Sequence, residues 1–155
     1  MAVYRRLSEM NSCSVIARWP LPNIANMLRR IGSRNPVFFA KFDMTSGYHQ
    51  FPLEESSTKY TAFCTFMGNY EWTRIVMGLS GAGSNFQQRM STEILAGLLY
   101  FNIEVYLDDI LVHATTEQEL LITLRKLLAR FRQFHVFLIL RKSKSVSNNL
   151  SLSDT

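Results

Sequence analysis

The sequence predicts an α+β fold, with helices packed on one face of a mostly antiparallel sheet and the other face open. Three observations predict it. Short β-prone segments occur as neighbours joined by tight turns, which favours antiparallel pairing. Three stretches carry apolar residues at helical spacing. The resulting order is helix, strand, hairpin, helix, hairpin, helix, strand.

Each element has its own signal. Residues 1–19 show weak periodicity and are expected to form an irregular lead-in. Ile24, Met27, Leu28 and Ile31 follow i, i+3, i+4, i+7. This predicts a short helix started by Pro20 and Pro22 and stopped near Gly32. Residues 37–43 are aromatic and β-prone and end at Asp43, where Thr45, Ser46 and Gly47 break the pattern. Residues 60–66 and 70–76 predict two strands around a turn at Met67, Gly68 and Asn69.

The glycines between Gly78 and Gly83 punctuate the chain, and Phe86, Met90, Ile94 and Leu98 then recur every four residues as a helix. Residues 103–107 and 110–113 are apolar strands around Asp108 and Asp109. Thr116 with Glu119 forms a capping box for a helix whose apolar face includes Leu120, Leu124, Leu127 and Phe131. Residues 134–140 predict a last strand. The expected layout is a lead-in over 1–19, one domain over 20–144 and a disordered Ser/Asn-rich tail over 145–155.

Composition narrows the function. The 155 residues are 47% apolar and 19% charged, which suits one domain with a real core. Two cysteines, Cys13 and Cys64, exclude a disulfide scaffold and a four-cysteine zinc site, and suit a reducing compartment. No secretory leader is visible. Asn102, Glu104, Asp108 and Asp109 interrupt the most apolar region, so no membrane span and no membrane partner are expected.

The net charge of +5 is unevenly distributed. Residues 1–42 hold seven bases and one acid, 43–119 hold ten acids and three bases, and 120–144 hold seven bases and no acid. That layout suits a protein gripping a polyanion at its flanks and cations at its centre. Solvated helix faces give the same layout, and charge alone favours that reading.

Asp108 and Asp109 sit between two apolar strands. Adjacent carboxylates repel unless a cation neutralises them, and hard oxygen ligands suit Mg²⁺. An exposed acidic turn explains them as well. Asp43, which could simply cap a helix, ends another apolar strand. If residues 37–43 lie beside the 103–113 hairpin, three carboxylates can hold two Mg²⁺ about 3.5–4 Å apart, as in-line phosphoryl transfer requires.

Four blocks occur in order: Phe42-Asp-Met-Thr-Ser-Gly-Tyr-His-Gln50, Lys59-Tyr-Thr-Ala-Phe63, Met77-Gly-Leu-Ser-Gly-Ala-Gly-Ser-Asn-Phe-Gln87 and Tyr106-Leu-Asp-Asp-Ile-Leu-Val112. Together they resemble the palm of reverse transcriptases from gypsy-type LTR retrotransposons and, more distantly, retroviruses. The likeness runs from about Tyr4 to Lys144. It implies a polymerase palm-like fold and an RNA-directed DNA polymerase that joins dNTPs to a primer 3′-hydroxyl with two Mg²⁺ ions, or Mn²⁺ in their place.

The resemblance assigns Asp43, Asp108 and Asp109 to metal and catalysis. It places Tyr48, Met77, Gly78, Gly81, Tyr106, Leu107 and Lys144 around the nucleotide. Gly83 and Gln87 are expected at the nucleic acid, with Arg29, Arg30, Arg125 and Lys126 as basic contacts. The implied partners are an RNA or DNA template with a DNA primer, and a dNTP. Three positions depart from the pattern: Val3 where an acid is usual, Gly83 where Pro is usual, and Arg141-Lys142 where Asn-Pro is common. The full fingers, the thumb and RNase H are expected to be absent from this chain. The alternative is a non-catalytic nucleic-acid-binding remnant with an open four-stranded sheet.

Overall fold

The computed structural model describes residues 2–15 and 19–139. In chain order the elements are α1 (Ala2–Cys13), α2 (Ile24–Gly32), β1 (Phe38–Met44), α3 (Glu55–Thr58), β2 (Phe63–Thr65) and β3 (Gly68–Tyr70). There follow α4 (Ala82–Arg89), β4 (Ile103–Tyr106), β5 (Asp109–Ala114), α5 (Glu117–Gln133) and β6 (Leu138–Ile139). Contacts group the chain into two units, Met1–Pro20 with Ser46–Phe86, and Leu21–Thr45 with Gln87–Thr155. This grouping is discontinuous, unlike the contiguous 1–19 and 20–144 layout, because the chain leaves the sheet after β1 and returns to it through β4. The expected tail, 145–155, lies outside the described residues.

The second unit is built on a four-stranded sheet in the order β4-β5-β1-β6. All its pairings are antiparallel. Side chains alternate across a strand, so the register sorts residues into two faces. Ala40, Phe42, Met44, Ile103, Val105, Ile110 and Val112 are buried on one of them. Lys41, Asp43, Glu104, Tyr106, Asp109 and Leu111 occupy the other. That second face is exposed at Lys41 and Asp109 but closes over Glu104, which is 2% exposed.

Helix α2 is capped by Asn23, whose side chain accepts the Asn26 N–H at 3.1 Å. Met27 and Ile31 are buried, while Ile24 and Leu28 stay exposed. Helix α5 packs against β5 and β1 and buries Leu127 and Phe131. Its predicted cap forms: Thr116 accepts the Glu119 N–H at 3.2 Å. The Glu119 carboxylate reaches back one residue further than a capping box requires, accepting from the Thr115 N–H and hydroxyl at 2.8 Å each. It also accepts from the Asn102 amide at 2.8 Å. These donors, Asn102 first, hold its pKa down at about 2.

The four-residue spacing of Phe86, Met90 and Ile94 does not continue to Leu98. A π-helical turn at Met90–Ile94 ends with the Leu95 N–H bonded to the Met90 carbonyl at 2.9 Å. One extra residue in that turn rotates the stripe, and Leu95 and Leu99 take the next buried positions.

The first unit holds α1, where an irregular lead-in was expected. Weak periodicity misses this helix because a polar clamp supplements its apolar docking. Leu7 is buried. The Asn11 amide donates to the Gly78 carbonyl at 2.7 Å, and its oxygen accepts the Ser80 N–H at 2.7 Å. The predicted hairpin exists but is shorter and turns earlier: Phe63 lies opposite Tyr70 and Thr65 opposite Gly68, so Phe66 and Met67 make the turn and Gly68 and Asn69 belong to β3. Lys59–Thr61 is a 3₁₀ turn, tied down by the Thr61 hydroxyl, which donates to the Thr58 carbonyl at 2.7 Å and accepts the Trp72 N–H at 3.0 Å. Tyr48, Phe51 and Phe86 cluster, with ring centroids 5.2 Å apart in both contacts to Phe86.

Candidate active site

Tyr106 and Asp109 pair at the end of the β4–β5 ladder, so Leu107 and Asp108 alone make the turn. Two-residue hairpins need a positive φ at the first turn position. Leu107 adopts it, at φ 53°. Its N–H is bonded by the Gln87 side-chain oxygen at 2.8 Å. The Asp108 carbonyl accepts the Met44 N–H at 3.2 Å, tying the turn to the end of β1.

The β1–β5 register sets Asp43 directly opposite Asp109. Residues opposite each other share a face, so their carboxylates emerge on the same side. Asp109, the first residue of β5, is thus the strand partner of Asp43, and Asp108 stands beside it in the turn.

Like charges directly opposite destabilise a strand pair. Here a neighbour compensates. Lys41, two residues before Asp43 on the same face, places its Nζ 2.9 Å from Asp109 Oδ1. That bond to Asp109 and the charge of the same carboxylate raise the Lys41 pKa, with smaller contributions from Asp43 and Asp108. Both partners are open to water, at 62% and 54% exposure, so the pair itself contributes at most about 1 kcal/mol. Among the described residues no three His, Cys, Asp or Glu side chains converge as a metal-ligand group. The donor chemistry, hard carboxylate oxygens already attracting an ammonium, fits a divalent cation such as Mg²⁺.

The other expected site residues separate into groups. Tyr106 ends β4 opposite Asp109, and Leu107 shares the turn with Asp108. Tyr48, in a 3₁₀ turn at Gly47–Gln50, is half-buried against Phe86. Met77 is exposed. Gly78 and Gly81 have φ 101° and 86°, a conformation glycine adopts without strain. Gly83 lies in the first turn of α4. Lys144 lies outside the described residues.

Arg29, Arg125 and Lys126 are exposed. Two expected nucleic-acid contacts are committed elsewhere. Arg30 grips Glu104 with two hydrogen bonds, Nε to Oε1 at 2.8 Å and Nη2 to Oε2 at 2.7 Å, and its guanidinium lies over the Tyr100 ring at 4.7 Å. A buried carboxylate needs a partner, and Arg30 on the neighbouring helix supplies it. Gln87 is 1% exposed and spends both ends of its amide on backbone. Sequence reasoning counted Lys41 only as flank charge. Its strand parity with Asp43 was the signal that could have found it.

The sequence pattern described as "Reverse transcriptase (RNA-dependent DNA polymerase)" matches residues 3–152. The chain is 37% identical over 116 residues to the retrovirus-related Pol polyprotein of transposon 297 from Drosophila melanogaster, a match over 75% of this chain and 10% of that protein. It is 32% identical over 111 residues to the corresponding polyprotein of transposon gypsy from the same organism, over 72% of this chain and 10% of that protein. The chain thus spans about a tenth of the length of these curated relatives. Among solved structures, the foamy viral protease-reverse transcriptase in complex with double-stranded DNA superposes with a TM-score of 0.78 at 22% identity, over 93% of this chain and 24% of that one. That likeness establishes a shared fold.

Proposed function

The chain belongs to the reverse transcriptase (RNA-dependent DNA polymerase) family, and from that premise we propose that it is the part of a retrotransposon polymerase that carries the catalytic carboxylates. The observation that carries this reading is the placement of Asp43 opposite Asp109, with Asp108 in the adjoining two-residue turn.

Asp43, Asp108 and Asp109 would hold two Mg²⁺ or Mn²⁺ ions in this reading, in competition with Lys41 for Asp109. When bound, such ions supply charge neutralisation at the phosphates and lower the pKa of the attacking hydroxyl. The chain's own residues do the positioning. Met77, Gly78, Gly81, Tyr106 and Leu107, with Lys144, border the dNTP, and Gly83 meets the nucleic acid. Gly78 and Gly81 allow the backbone to approach a strand closely. The Tyr48 ring excludes a ribose 2′-hydroxyl by its volume. Arg29, Arg125 and Lys126 meet template or primer phosphates. The nucleic acid is an RNA or DNA template with a DNA primer; the foamy viral protease-reverse transcriptase is solved in complex with double-stranded DNA.

Primer extension tests the proposal. Purified chain with a primed homopolymer RNA, the matching dNTP and Mg²⁺ should lengthen the primer, and Asp43→Asn should abolish this. Template binding with no extension by the native chain would contradict the proposal and favour a non-catalytic nucleic-acid-binding remnant.

A further inference from the structure

We infer that Gln87 is the positioning residue of the acidic turn: its buried amide holds Leu107 in the left-handed conformation and thereby fixes where Asp108 and Asp109 stand. The inference rests on the polymerase reading only for what the turn is used for. The hold itself rests on geometry.

The turn's own sequence does not explain its shape. A two-residue hairpin with positive φ at its first position favours Asn or Gly there. This chain has Leu107 at φ 53°, where a side-chain Cβ crowds the backbone. Such conformations persist when the surroundings over-determine them. The Leu107 N–H also has no partner within the ladder, since Tyr106 and Asp109 are the last pair.

Gln87 answers both needs. Its Oε1 accepts the Leu107 N–H at 2.8 Å, and its Nε2 donates to the Val105 carbonyl at 3.3 Å and to Ser91 Oγ at 3.4 Å. A donor on one side and a carbonyl on the other fix which end of the amide faces which. No other orientation satisfies both. One side chain therefore bridges the residue two before Leu107 and Leu107 itself, pinning the last step of β4 and the first step of the turn. At 1% exposure water cannot substitute for it. Partners that orient metal-binding groups from behind are worth about 10–100-fold in metal affinity, and Gln87 acts one step further back, on the backbone that leads into the aspartates.

Amide hydrogen exchange on the full chain, in chelator, decides the matter without metal. In the native chain the Leu107 N–H should be protected. In Gln87→Met, which keeps length and burial but has no oxygen, Leu107 should exchange roughly tenfold faster or more, while Ile110 and Val112 in β5 keep their protection. Equal loss across β5 would mean that Gln87 only stabilises the fold, and would overturn the inference. So would an unprotected Leu107 N–H in the native chain, a result that needs no variant to fold.

Manganese binding supplies a second readout. Gln87→Met should lower Mn²⁺ affinity by about tenfold. Adding Leu107→Gly should restore most of it, because glycine takes the left-handed conformation unaided. No rescue would overturn the inference. A native chain that takes up no Mn²⁺ would overturn the polymerase reading, while exchange at Leu107 would still decide the role of Gln87.

Discussion

Asp43 and Asp109 face each other across the β1–β5 pair, and Lys41 bridges to the second of them at 2.9 Å. Lys41 lies diagonal to Asp109, because its own register partner is Leu111. It acts as an internal counter-cation for an acidic end of the sheet. Lys41→Met should lower stability by less than about 1 kcal/mol at low salt, with the difference fading as salt screens it. The same change should raise Mn²⁺ affinity, because a competing positive charge is gone. Urea titrations at two ionic strengths and a Mn²⁺ titration followed by electron paramagnetic resonance check both. Unchanged affinity would show that Lys41 does not compete for the site.

Arg30 and Glu104 make the opposite case, a pair whose carboxylate is held out of water. Arg30→Ala strands a carboxylate that is 2% exposed, and the expected loss is about 3 kcal/mol. Joint replacement by Arg30→Met and Glu104→Leu should recover most of that loss. Chemical denaturation of the single and double variants measures it. Equal losses in both would assign the cost to packing of the Arg30 stem instead.

Glu119 gives the fold a pH dependence. Its carboxyl titrates at about 2 instead of its ordinary 4.5. A depressed carboxylate stabilises the folded chain above the ordinary value, and that contribution disappears as pH falls through 4.5 toward about 2. Glu119→Gln should cost on the order of 1–3 kcal/mol near pH 6, and the gap to the native chain should close by about pH 2. A gap that is constant across this range would contradict the assignment.

Nucleic-acid binding should be salt-dependent and indifferent to sequence. The joint replacement of Arg125 and Lys126 by Ala should reduce the slope of log K against log salt by about 1.4–1.8. Filter binding from low to physiological salt measures this. A slope unchanged by the double variant would place the contact face away from α5.

Tyr48 carries the prediction on sugar choice. Tyr48→Ala should raise ribonucleotide use relative to deoxynucleotide use in primer extension, and Tyr48→Phe should not. An unchanged preference in Tyr48→Ala would leave the ring only its packing against Phe86.

Strands β1, β4 and β5 and the acidic turn were legible because their signals are local, whereas the expected strand over 70–76 shares only Tyr70 with β3. Apolar runs flank Asp108 and Asp109, and Thr116 with Glu119 announces α5. What was not legible depends on partners distant in sequence. Helix α1 is docked partly by Asn11 gripping Gly78 and Ser80, which leaves little apolar period to read. The π-helical turn at Met90–Ile94 rotates a stripe that the sequence carried on to Leu98. Arg30 looked like a free cation because Glu104 lies 74 positions away. Which aspartate faces Asp43 is a matter of register, and register is settled by pairing between strands.

The most direct test of the central claim is a Mn²⁺ titration of the native chain, Asp43→Asn and Asp109→Asn, followed by electron paramagnetic resonance. Saturable uptake by the native chain that is lost in both variants is the expected result. Equal uptake by the native chain and Asp43→Asn would contradict the reading of these opposed aspartates as a cation site.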